Sequence, residues 1–118
     1  MSDIAVLFRS APHGSSVGRE GLDALLACSA LSDELCALFI GDGVYQLLAG
    51  QQPAAILARD HASTFKMLEL YDIEAVYVCA DSLAERGLTE TDLLIPVRVL
   101  PRAELRAHLA QARVRLLF

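Results

Sequence analysis

The chain has 118 residues, with 10 Lys or Arg against 15 Asp or Glu and a formal net charge of −5. That length fits one domain spanning residues 1–118, and scattered cations on an acidic chain exclude a surface built to grip a phosphate backbone. Apolar residues make up 54% of the sequence and mean hydropathy is +0.41, an excess that a domain this small cannot bury alone and that predicts cover by other subunits.

Ile4–Phe8 is a continuous apolar run, too short for a signal-peptide core or a membrane span. It predicts a strand buried on both faces of a parallel sheet. The loop RSAPHGSS follows, broken by Pro12 and Gly14. Val17–Leu31 reads as a helix with Leu22, Leu25, Leu26 and Ser29 on one stripe. Ser16 is placed to cap it, while Glu20 falls one position late for a capping box. Leu35–Ile40 is a second buried strand, ended by Gly41-Asp42-Gly43. Pro53 opens a helix-rich stretch over Ala54–Leu70, and Ala75–Cys79 is a third strand. Ser82 and Glu85 match the S-x-x-E capping box of a short helix that Gly87 closes. Leu94–Leu100 contains a fourth strand interrupted by Pro96. Pro101–Ala112 is a helix with Leu105 and Leu109 four apart, and Val114–Phe118 is a fifth strand. Strands alternating with helices predict an α/β fold, a parallel sheet with helices on both faces.

Several residues are candidates for chemistry. Gly14, Gly18 and Gly21 follow the first strand and Gly41-Asp42-Gly43 the second, but no Lys completes a phosphate loop and no third Gly completes a dinucleotide fingerprint. Glycines at such turns are also expected from tight geometry alone. His13 lies after the first strand, on the carboxyl side of the sheet where ligands bind in this architecture, and could act as base or donor. His61 and His108 fall in helical stretches with no ligand-spaced partner, and read as partly exposed surface residues. No spacing of His, Cys or acidic residues supports a metal site.

The three cysteines have no C-x-x-C spacing, which argues against a disulfide framework or zinc site and fits a reducing cytoplasm. Cys28 and Cys36 sit in apolar helix and strand surroundings and read as small core residues. Cys79 differs, since it ends its strand where a helix start could offer N–H groups to a thiolate. Asp81 lies two residues on and disfavours that thiolate, and no cation is adjacent in sequence.

Three segments, FRSAPHGSSVGREGLDALLA (Phe8–Ala27), FIGDGVYQLLAGQ (Phe39–Gln51) and YDIEAVYVCADSLAERGL (Tyr71–Leu88), resemble the TusC/DsrF-like sulfur-relay subunits of the DsrE/DsrF-like family. Order and spacing match over nearly the whole chain. The resemblance implies a three-layer α/β/α fold with a five-stranded parallel sheet in the order 4-3-2-1-5. It also implies a cytoplasmic hetero-oligomer with TusB-like and TusD-like subunits, arranged as a dimer of heterotrimers. Such a complex takes persulfide sulfur from a TusA-like donor and passes it to a TusE-like acceptor, for 2-thiolation of the tRNA wobble uridine.

In that picture the sulfur-carrying cysteine belongs to the TusD-like subunit, at a strand end much like that of Cys79. This chain is then a structural partner, with no catalytic residue, cofactor or metal of its own and no direct contact with nucleic acid or membrane. The implied strand order sets the first and third strands two steps apart, roughly 10 Å, which leaves His13 poorly placed to act on Cys79. Two rival readings are that Cys79 itself carries a persulfide and that the chain serves sulfur oxidation in a DsrF-like role. A third is a flavodoxin-like nucleotide or flavin binder, disfavoured by the missing phosphate motif. Tyr45, Leu47, Leu48, Phe65, Met67 and Tyr71 are candidates for a subunit interface, with ordinary core packing as the competing reading for each.

Overall fold

The short apolar runs of the sequence become the strands of one sheet in the computed structural model, which describes residues 3–11, 17–31, 34–48, 73, 75–93 and 95–118. In chain order the elements are β1 (Ile4–Phe8), α1 (Val17–Cys28), β2 (Leu35–Phe39), a 3-10 segment (Gly41–Leu47) and β3 (Ala75–Cys79). Then come α2 (Ala80–Glu85), a second 3-10 segment (Glu90–Asp92), β4 (Arg98–Leu100), α3 (Arg102–Gln111) and β5 (Val114–Leu117). All four strand pairings are parallel, in the order β4-β3-β2-β1-β5. This is the order that the family resemblance implied.

Alternate residues of each strand feed opposite faces of the sheet. Val6, Phe8, Ala37, Phe39, Val76 and Val78 join Leu22 and Leu25 of α1 and Leu83 of α2 in the larger core. Ala5, Leu7, Cys36, Leu38 and Cys79 join Leu105 of α3 and Ala112 in a second core. Helices therefore lie on both faces, giving three layers. Each fully buried Leu or Phe in these cores stabilises the fold by about 1.5–3 kcal/mol. At one edge of the sheet, β5 pairs with β1 alone among the described strands, and its Val114 and Leu117 stay exposed.

Three sequence expectations shift. The first helix stops at Cys28 and not Leu31, because its last N–H groups turn to i−3 carbonyls and the Ser29 hydroxyl donates to Leu26 O at 2.5 Å. The fourth strand contracts to Arg98–Leu100, since Pro96 has no N–H to donate to the ladder. The expected capping box at Ser82 and Glu85 is not formed. The helix follows β3 directly with Cys79 as its N-cap, so Ser82 lies within its first turns, buried, with its Oγ accepting the Gly41 N–H at 2.9 Å. A capping box forms instead between Thr89 and Asp92.

Gly87 does close α2. At φ +67° it lets its own N–H reach Ala84 O at 3.2 Å while the Leu88 N–H reaches Leu83 O at 2.9 Å, the paired bonds of a left-handed helix end. Ser16, Pro53 and the helix-rich stretch Ala54–Leu70 lie outside the described residues. Among the described residues no helix is long and apolar enough to cross a membrane.

Candidate functional site

The carboxyl end of β3 is where the sequence placed its one distinctive thiol. Cys79 is the last residue of β3 and the N-cap of α2, with extended backbone and 0% exposure. Its side chain faces the second core with Cys36, Leu38 and Leu105.

The neighbouring strand decides what surrounds it. Cys79 stands opposite Leu100 in the β3–β4 register; Pro101 then caps α3, whose first residue is Arg102. The guanidinium of Arg102 hydrogen-bonds Glu85, and its pKa rises above the ordinary arginine value, first through Glu85 and then through Cys79. Its Nη2 lies 2.5 Å from Glu85 Oε1. Asp81 faces the same junction, with its Oδ1 accepting the Arg102 backbone N–H at 3.3 Å. That carboxylate thus serves the first free N–H of α3.

The sequence reading saw the acid beside Cys79 and missed the cation. A signal was available: in a sheet where the third and fourth strands are neighbours, the residue just past the fourth strand lies beside the end of the third. The result is a fully buried thiol at the end of β3, next to a junction that Arg102, Glu85 and Asp81 tie together. In this arrangement the sulfur is close to a positive charge and closed to a bulky reaction partner.

The other sequence candidates separate clearly. Cys36 is fully buried in the second core, Cys28 is half-buried against the larger one, and neither is in a disulfide. His108 is half-buried on α3 and stacks on Tyr77, ring centroids 4.5 Å apart. His13 and His61 lie outside the described residues. The strand order does place β2 between β1 and β3, so the segment after β1 leaves the sheet two strands from Cys79. Among the described residues no group of three His, Cys or acidic side chains could hold a metal ion.

The proposed interface residues also divide. Leu47 is fully buried in the larger core of its own chain, so its side chain is core and not contact surface. Tyr45 is half-buried beneath the Arg86 guanidinium, 5.9 Å from its ring centroid, while Arg86 pairs with Asp42 at 2.9 Å. Leu48 is half-buried and bridges to Leu93. Phe65, Met67 and Tyr71 lie outside the described residues.

Comparison with known proteins agrees with this architecture. The profile of the DsrE/DsrF-like family matches residues 2–117. A Vibrio vulnificus protein named "Protein TusC homolog" is 60% identical over 109 residues, 92% of each chain. An Escherichia coli O157:H7 protein named "Protein TusC" is 56% identical over 119 residues and covers all of both chains. Among solved structures, the ychN protein of E. coli superimposes with a TM-score of 0.83 over the full length of both chains at 22% identity, a likeness of fold. The chain belongs to the DsrE/DsrF-like family.

Proposed function

We propose that the chain is a structural subunit of a cytoplasmic sulfur-relay hetero-oligomer. It assembles with TusB-like and TusD-like subunits as a dimer of heterotrimers. The complex passes persulfide sulfur from a TusA-like donor to a TusE-like acceptor for 2-thiolation of the tRNA wobble uridine. The observation that carries this reading is the full-length identity of 56% to a protein named TusC. The apolar excess of the sequence supports an assembled state.

The state of Cys79 supports a partner role over a carrier role. In sulfur transfer a thiolate attacks the outer sulfur of a persulfide, a new S–S bond forms, and the donor leaves as its own thiolate. That attack needs the nucleophile exposed to another protein's persulfide, and Cys79 is fully buried. A second reading, Cys79 as a persulfide carrier, is favoured by the place of Arg102 at the start of α3, just past the β4 residue that pairs with Cys79, since a cation assists a thiolate.

One cellular experiment separates the two. With the gene for this chain deleted, wobble 2-thiouridine is expected to vanish, and a copy carrying C79S is expected to restore it. Failure of C79S to restore, with the complex still intact by sizing, would establish the carrier reading instead. Co-expression with the two partner subunits should yield a single larger species. A soluble monomer that ignores them would overturn the assembly.

A further inference from the structure

We propose that the open edge of β5 takes an added strand, an extended acidic segment of a partner subunit. The inference rests on the assembly proposed above and names one surface that the assembly uses.

The bonds to β1 fix which backbone groups of β5 stay open. Phe118 donates its N–H to Leu7 O at 2.8 Å and accepts the Arg9 N–H at 3.0 Å, while Val114 donates to Asp3 O at 3.0 Å. In a parallel ladder each residue turns its N–H and C=O to the same side, and successive residues alternate. Val114, Leu116 and Phe118 therefore face β1. Arg115 and Leu117 turn both backbone groups outward, where no described strand meets them. Natural edges are usually blunted by charges, bulges or proline, yet three of the four residues of β5 are large and apolar. Val114 aligns with Ile4 on one face of the sheet and Leu117 with Leu7 on the other. At 47% and 48% exposure, they leave apolar surface on both faces for an added strand to cover.

The charges choose the occupant. Arg113 and Arg115 are exposed along the strand, and exposed Arg9 follows β1 beside its end. Among the described residues, Asp3 is the acid that answers them, 3.6 Å from Arg113. Arg113 and Arg115 project from the same face, two residues apart. Pairing β5 with β5 of a second copy would gather four arginines on that face, and like charges across a strand pair are destabilising. The edge therefore disfavours its own copy. A strand bearing Asp or Glu beside Arg113 and Arg115 meets opposite charge instead. Backbone bonds to Arg115 and Leu117 supply the affinity of such strand addition, and the side chains select the partner.

The test titrates the full chain into the co-expressed TusB-like and TusD-like subunits and reads backbone hydrogen exchange before and after assembly. L117P removes an outward N–H and keeps the bonds to β1, so it should bind about tenfold more weakly. R115E should also bind about tenfold more weakly at low salt, with a smaller loss at high salt. The Arg115 and Leu117 amides should exchange more slowly in the complex than in the free chain. Wild-type affinity in both variants, or no slowing at these amides, would overturn the proposal while leaving the assembly standing. A wild-type chain that binds neither subunit would overturn both. If the free chain dimerises and R115E or L117P returns it to a monomer, the occupant is a second copy and the proposal fails. Should L117P not fold, R115E and the amide exchange carry the same decision.

Discussion

Gly43 lies directly against the backbone of Phe8: a β-carbon added at Gly43 would stand 1.9 Å from Phe8 O and 2.9 Å from Arg9 N. The neighbour is backbone of a central strand, and its carbonyl already accepts the Ile40 N–H at 3.0 Å. It cannot swing aside as a side chain would. G43A is expected to destabilise the chain by roughly 3 kcal/mol or more. Urea unfolding checks this, and an unchanged midpoint would show that the 3-10 segment can move away from β1.

Phe8 and Phe39, paired in the β1–β2 register, stack with ring centroids 4.6 Å apart and planes 7° apart. Phe118 tilts against Phe8 at 6.4 Å. Phe39→Ala should cost about 3–5 kcal/mol, while Phe39→Leu should cost clearly less. Equal losses from the two variants would place the value of this site in ring stacking and not in filled volume.

Ser82 and Asp42 both join α2 to the Gly41–Leu47 segment, yet their substitutions should differ. Ser82→Ala leaves the Gly41 N–H without its acceptor and should cost about 1–3 kcal/mol. Asp42→Asn touches an exposed ion pair with Arg86 and should cost under about 1 kcal/mol. Thermal melts of both variants, side by side, test the contrast.

Leu47→Ala is expected to destabilise the isolated chain by about 2–5 kcal/mol, because Leu47 fills its own chain's core. A variant that folds normally alone and loses only partner binding would return Leu47 to the interface.

The elements were largely legible in the sequence. The bounds of β1 and β3 match the apolar runs Ile4–Phe8 and Ala75–Cys79, and Leu105 and Leu109 mark the face of α3 that packs on the second core. Gly87 was legible as a helix end for a similar reason. A turn residue needs only its own backbone angles, and periodicity needs only its own segment.

What escaped the sequence were the meetings between segments. Ser82 has the right type and spacing for a helix cap, but its hydroxyl accepts an N–H from Gly41, far away in the chain. Leu47 follows a glycine turn and looks available, yet the sheet buries it.

The sequence by itself determined that a thiol ends a buried strand and that a helix follows it, since hydrophobic runs and breakers are local properties. Only the tertiary structure decided that Arg102 meets Glu85 beside that strand end and that Asp81 binds the start of α3. Both depend on β4 pairing with β3 in one register, a contact between segments that no local pattern encodes.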